Sequence, residues 1–113
     1  MITPEKQKHT LYQGATWEWT YIVTDEDKVP LNLTGCTAKL MAREDVEDAT
    51  TVISVDGVIS PLVGEVTFTI TPAMTTSGTW TAATFDVELY FIGERVEKLA
   101  VGSMKLVREV TRP

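Results

Sequence analysis

Apolar and polar residues alternate along four separate runs of this 113-residue chain, and that pattern restricts its fold more than any other feature. Successive side chains of a β-strand point to opposite faces, so each run predicts a strand with one face inward and one face in water. Two-sided strands of this kind are typical of antiparallel sheets. The predicted inward positions are Trp17, Trp19, Tyr21 and Val23; Cys36, Ala38, Leu40 and Ala42; Val66, Phe68 and Ile70; and Phe85, Val87, Leu89 and Phe91.

Turn-forming residues separate these runs at short intervals. Asp56-Gly57 predicts a tight hairpin turn between two short strands, and Gly93-Glu94 predicts another turn. The segment Leu31–Gly35 predicts a loop that two leucines anchor to the core and a glycine closes. Seven to eight short strands with turn signals at this spacing predict an all-β fold, an antiparallel β-sandwich.

The last strand, one connection and the chain ends carry further predictions. A long final strand is expected from about Val96 to Val110, with a bulge at Gly102-Ser103, where the alternation slips. Pro72–Ser77 has room for a single helical turn, with proline at its first position. The length fits one domain, residues 1–113, and we expect its ends, residues 1–8 and 111–113, to be flexible.

The charge of the chain bears on the partners it can bind. The formal net charge is −6 and the sequence pI is about 4.7. An acidic surface repels phosphate backbones and anionic lipids, which argues against binding to nucleic acid or to a membrane surface. The N-terminal segment is polar and predicts no signal peptide, and no apolar run approaches the roughly 20 residues of a membrane-spanning helix.

Side chains that carry enzyme chemistry are sparse and badly spaced. Cys36 is the single cysteine, which excludes an intrachain disulfide or a multi-cysteine zinc site and predicts a small buried hydrophobe. His9 is the single histidine and has no predicted triad partner. The acidic cluster Asp25–Asp27 lacks the ligand spacing of a calcium loop and predicts a solvated turn. A second acidic patch, Glu44–Asp48, predicts an exposed loop. The sequence therefore predicts no catalytic residue, no metal ligand and no cofactor site.

The three tryptophans leave two questions open. Trp17 and Trp19 stand two residues apart and share the predicted inward face, so a place in the core is favoured over a platform for stacking sugars. Trp80 interrupts a threonine-rich stretch and has two equal interpretations. It either caps an edge of the sandwich or anchors a partner, since tryptophan is enriched at interface hot spots.

Several segments together resemble the immunoglobulin-like modules of tailed-phage virion proteins, especially the N-terminal domain of the phage upper baseplate protein family. The resemblance covers roughly residues 14–110 and consists of turn and strand signatures. The segments that carry it are Gly14–Thr16, Pro30–Leu40, Gly64–Pro72, Gly78–Trp80 and Phe85–Leu89.

This resemblance implies an immunoglobulin-like sandwich and a role in the virion. We expect a non-enzymatic structural component of a tailed bacteriophage, in the baseplate, tail or head-tail region, made in the cytoplasm of the host cell. Its partners would be other phage structural proteins, in a homo-oligomer or a symmetric array, without nucleic acid or membrane. The alternatives are a carbohydrate- or host-receptor-binding module and a capsid decoration protein.

Such a component would present sheet edges and loops to its neighbours. The expected docking loops are Asp25–Pro30 and Pro72–Trp80. The side chains predicted at the interface are His9, Leu11, Tyr12, Trp80 and Tyr90.

Overall fold

The computed structural model describes residues 4–110, and its regular structure is almost entirely β-strand. Besides the strands there is one 3-10 turn, Pro61–Val63, and one helical turn, α1 (Pro72–Thr75), which begins at the predicted proline. The strands are β1 (Glu5–Tyr12), β2 (Trp17–Ile22), β3 (Thr37–Arg43), β4 (Ile53–Asp56), β5 (Val58–Ser60), β6 (Glu65–Ile70), β7 (Ala82–Tyr90) and β8 (Val96–Val107).

The eight strands form two sheets that pack face to face. The five-stranded sheet has the order β1-β8-β7-β3-β4, and the three-stranded sheet has the order β2-β6-β5. The groupings β8-β7-β3 and β2-β6-β5 match the GFC and BED groups of an immunoglobulin sandwich. The predicted all-β sandwich of seven to eight strands is confirmed.

The core lies between the two sheets and is built from the alternate positions of the predicted strands. Val66, Phe68 and Ile70 of β6 are fully buried, as are Leu40 of β3 and Val87 of β7. The predicted inward faces of β3, β6 and β7 are thus confirmed, except that Cys36 and Phe91, just outside β3 and β7, are only partly buried against the core. The side chains between them on each strand face outward, as period-two alternation requires.

The loop between β2 and β3 is anchored to the core as predicted. The side chain of Leu33 is fully buried, and its backbone N–H donates to the carbonyl of Pro61 at 2.9 Å. Gly35 has a φ of +82°, a conformation that glycine adopts without strain, and it allows the chain to enter β3. This hydrogen bond ties the loop to the 3-10 turn between β5 and β6, in the three-stranded sheet.

Strand β1 differs from the predicted antiparallel pattern. It pairs with β8 in parallel over eight residues, from Glu5 opposite Ala100 to Tyr12 opposite Val107. Residues 5–8, which were expected to belong to a flexible end, lie within this strand, whereas residues 1–3 and 111–113 lie outside the described residues. The buried side chains of His9 and Leu11 explain why the polar N-terminal segment is held against the sandwich.

The predicted hairpin at Asp56-Gly57 is wrong. Strand β4 ends at Asp56 and pairs with β3, whereas β5 begins at Val58 and pairs with β6 in the other sheet. Gly57 is the point at which the chain crosses between the sheets, and its N–H donates to the carbonyl of Ala38 at 2.9 Å. A turn signal alone does not reveal whether the two strands that it separates pair with each other.

The irregularity in β8 also lies elsewhere than predicted. The β7–β8 register shifts where Val87 faces Ala100 and Glu88 faces Lys98, so Leu99 is the bulged residue. Gly102 is in regular register opposite Phe85. Glycine at this position allows β1 to lie close to β8, because a Cβ added at Gly102 would collide with the backbone of Gln7 in β1.

We expect Gly102→Ala to loosen β1 and to lower the free energy of unfolding by about 1–3 kcal/mol, the usual cost of forcing atoms into a filled space. Ser103→Ala, on the exposed side of the same strand, is the matched control and should change it by less than about 0.5 kcal/mol. Urea unfolding gives both values, and amide exchange should show β1 losing protection first. Equal stability of the two variants would contradict the close approach.

Candidate interaction surface

The five residues predicted at an interface are divided between the core and the surface. His9, Leu11 and Trp80 are buried, Tyr90 is half-buried, and Tyr12 is 61% exposed. Tyr12 is therefore the one member of this set with a largely exposed side chain. The five residues do not form a single patch.

Trp80, for which an edge cap and a partner anchor were the two interpretations, lies in the core. Its side chain is 4% exposed and belongs to the hydrophobic core. The indole lies beside Gly78 and Leu106, since a Cβ added at Gly78 would stand 3.2 Å from Trp80 Nε1 and 3.1 Å from Leu106 Cδ2. In this conformation the side chain offers almost no surface to a partner.

Trp17 and Trp19 lie at the open side of the sandwich, where they are only partly covered. Trp17 is half-buried and Trp19 is 40% exposed, so the prediction that both belong to the core is wrong for Trp19. Their rings stack at 6.3 Å with an interplanar angle of 9°. His9 stands edge-on to both, at 5.1 Å from Trp17 and 4.6 Å from Trp19.

A polar network centred on Gln7 of β1 joins His9 of this aromatic cluster to Tyr21 of β2. Gln7 Oε1 accepts a hydrogen bond from the Tyr21 hydroxyl at 2.8 Å and lies 3.0 Å from His9 Nε2. The same amide donates to the Glu5 carboxylate at 2.8 Å. Burial, and then the charge of Glu5, raise the pKa of the Tyr21 hydroxyl, while burial lowers the pKa of the His9 imidazole. His9 is thereby held neutral as a structural side chain.

This burial makes the stability of the protein depend on pH. In the unfolded chain His9 becomes protonated below about pH 6.5, whereas in the folded chain it becomes protonated only at a lower pH. Because the unfolded state then binds more protons, the free energy of unfolding should decrease as the pH falls below about 6.5. In His9→Gln this part of the pH dependence should disappear. Urea unfolding from about pH 7.5 to about pH 5.5 compares the two chains. Identical slopes would contradict a neutral buried histidine.

Gln13 is a structural residue that the sequence did not reveal. Its side chain is buried, and Nε2 donates to the carbonyls of Thr75, Thr76 and Gly78 at 3.2, 3.2 and 3.1 Å. Its Oε1 accepts from the backbone N–H of Glu109 at 3.0 Å. One amide thus joins the end of β1 to the α1 loop and to the segment after β8.

The two predicted docking loops are both largely exposed. In Asp25–Pro30 the carboxylate of Asp25 is used within its own turn, accepting from the N–H groups of Asp27 at 2.9 Å and Val29 at 3.0 Å. In Pro72–Trp80 the exposed residues surround the buried Thr75, whose hydroxyl accepts from the N–H of Gly14 at 3.0 Å. Each loop is thus held by hydrogen bonds to its own backbone or to a neighbouring turn, with its other side chains exposed.

Charge is distributed unevenly over the surface. The outer face of the five-stranded sheet carries six basic and three acidic side chains, although the whole chain has ten basic and sixteen acidic residues. Two of the acids are paired, Asp86 with Lys98 at 2.8 Å and Asp56 with Lys39 at 3.6 Å. The nine residues are Lys6, Lys8, Lys39, Arg43, Lys98, Lys105, Asp56, Asp86 and Glu88. The outer face of the five-stranded sheet is therefore positively charged, whereas the other charged residues of the chain, the acidic remainder, are mostly acidic.

No catalytic arrangement emerges from the described residues. Among residues 4–110 no group of three or more His, Cys, Asp or Glu side chains is placed to hold a metal ion. A groove of about 560 Å³ runs past the half-buried thiol of Cys36, whose pKa burial raises, and its charged side chains, Lys39 and Asp56, pair with each other. A larger groove, about 690 Å³, borders Asp25 and Glu26 beside β2.

Comparison with known proteins identifies a family. The model of the BppU N-terminal domain, from a phage baseplate upper protein, matches residues 20–101. The matched range includes most of the strands of both sheets and leaves out β1. No curated protein matches the chain. Within the described residues, no helix is long and apolar enough to cross a membrane.

Proposed function

The chain belongs to the family of BppU N-terminal domains, and on that basis we propose that it is a non-enzymatic structural component of a tailed-phage baseplate. The observation that carries the proposal is the family match over residues 20–101. The confirmed two-sheet sandwich agrees with it, because each segment that carries the sequence resemblance contributes to a strand or to a turn of that sandwich. Its partners would be other structural proteins of the virion.

Protein contacts in a symmetric assembly are the proposed mode of action. A positively charged sheet face and an acidic remainder favour contacts between unlike surfaces, either on another protein or on the next copy in a ring. The exposed loops Asp25–Pro30 and Pro72–Trp80 supply further contact surface. The baseplate is favoured over the capsid or the neck because the matching family is a baseplate family.

A glycan-binding module is the second candidate, and one observation favours it. Trp19 is 40% exposed and stacks beside Trp17, so part of an aromatic surface is open to solvent. Soluble glycans should quench tryptophan fluorescence of the wild-type chain, and of Trp19→Phe much less, if this candidate is correct. Absence of quenching with the glycans of the host surface would exclude it.

The baseplate proposal is tested on purified virions of the phage that encodes the chain. Heads and tails are separated and the chain is quantified in each fraction by mass spectrometry. We expect it in tails, in a copy number that is a multiple of three or six. Recovery with heads, or absence from mature particles, would contradict the proposal.

A further inference from the structure

The outer edge of β2 is the least protected sheet edge in the described part of the chain. Four strands have a free edge, namely β1, β2, β4 and β5. Strand β4 has four residues and β5 has three, while β1 carries Lys6 and Lys8, the charged residues that commonly prevent pairing at an edge. Strand β2, of sequence WEWTYI, pairs with β6 without a bulge over six residues and contains no lysine or proline.

The direction of the backbone groups on β2 follows from the ladder. The N–H of Val23, just beyond β2, donates to the carbonyl of Gly64 at 2.8 Å, so alternate residues before it, back to Trp17, also point toward β6. The N–H and C=O groups of Glu18, Thr20 and Ile22 therefore point to the free side. No backbone hydrogen bond of these three residues to any other described segment is present.

A groove runs along this same edge. It has a volume of about 690 Å³ and is lined by eight consecutive residues, 19–26, together with Leu31 and Leu99. Successive side chains of a strand point to opposite faces, so a groove that touches consecutive residues of β2 must follow its edge. Trp19 and Ile22, both exposed, give it apolar surface on the two sides of the strand.

The rim of the groove selects the charge of its occupant. Glu5, Asp25 and Glu26 line it, and the one basic lining residue, Arg95, already pairs with Glu97 at 3.2 Å. This rim attracts lysine or arginine. It disfavours pairing with the β2 edge of a second copy, which brings the same acidic side chains.

We infer that the outer edge of β2 binds an extended, basic segment of another protein, which adds a strand to the β2-β6-β5 sheet. Backbone hydrogen bonds to Glu18, Thr20 and Ile22 hold that strand, an apolar side chain covers Trp19, and a lysine or arginine lies near Asp25 and Glu26. The inference rests on the proposed function for the source of the partner, a neighbouring baseplate protein. The geometry of the β2 edge does not depend on the proposed function.

The test uses the full-length, 15N-labelled chain and a short synthetic peptide of alternating lysine and valine. On saturation, the amide exchange of Glu18, Thr20 and Ile22 should slow by about tenfold or more, the effect of one added hydrogen bond, while Trp17, Trp19 and Tyr21 change little because they are already bonded to β6. A peptide of alternating glutamate and valine should bind about tenfold more weakly.

Two variants at one position separate edge pairing from other binding. Thr20→Pro removes an N–H that points to the free side and should weaken lysine-valine binding by about tenfold or more, whereas Thr20→Val keeps the N–H and should bind within about threefold of wild type. Circular dichroism confirms that both variants fold. Any of three results would overturn the inference. They are equal binding of both variants, no change in amide exchange at millimolar peptide, and protection that grows with protein concentration alone. No virion is used, so this result is independent of the fractionation experiment.

Discussion

Replacing Trp80 by alanine should destabilise the protein by about 3–5 kcal/mol, because it removes a fully packed aromatic side chain from the core and leaves a cavity. Domains of this size have a total stability of about 5–15 kcal/mol, so the variant should be close to unfolding at physiological temperature. The expected decrease in the melting temperature is roughly 15 °C or more.

Trp19→Ala is the matched control, since it makes the same chemical change at a side chain that is 40% exposed. It removes a stacked contact with Trp17 and should cost about 1 kcal/mol. Thermal unfolding by circular dichroism and urea titration measure both variants. Trp80 would instead be a surface anchor if its variant were as stable as wild type and failed only in assembly.

The second large effect is expected at Gln13. Gln13→Ala removes the donor shared by three carbonyls and the acceptor used by the N–H of Glu109, so it should cost about 2–4 kcal/mol. Gln13→Glu should cost more at neutral pH, because it places a carboxylate oxygen within about 3 Å of carbonyl oxygens where an N–H now donates. Urea titration at neutral pH gives both values.

The pH dependence of Gln13→Glu separates electrostatics from loss of packing. The protonated carboxyl can still donate to a carbonyl, so folding raises its pKa, and the variant should regain stability as the pH falls through that raised value toward the pKa of the unfolded chain. Gln7→Glu is the control at the other glutamine, which donates to the exposed Glu5 carboxylate, and should cost about 1 kcal/mol or less. A pH-independent loss in Gln13→Glu would contradict the proposed cause.

Much of the fold could be predicted because period-two alternation directly encodes which side chains face inward. Val66, Phe68 and Ile70 are buried as expected, and Pro72 begins a helical turn as expected. Pairing partners could not be predicted, because alternation is the same in parallel and antiparallel strands. This is why the parallel β1–β8 pair and the crossing at Gly57 differ from the predictions.

The candidate surface was harder to predict, because burial of a residue near an edge depends on what the opposite sheet covers. Trp19 shares its face with the buried Tyr21 but lies at the open side of the sandwich. Gln13 is a lone polar residue before a turn, and no local pattern distinguishes it from an exposed glutamine. Its role arises from Thr75 and Glu109, which are more than 60 positions away.

The central claim, that this sandwich is a structural part of a phage baseplate, is tested most directly by cryo-electron microscopy of the intact tail tip. We expect an eight-stranded sandwich with the β1-β8-β7-β3-β4 and β2-β6-β5 sheets to fit baseplate density in symmetric copies, with its surfaces in contact with neighbouring proteins. A baseplate whose density is fully explained by other proteins would contradict the claim.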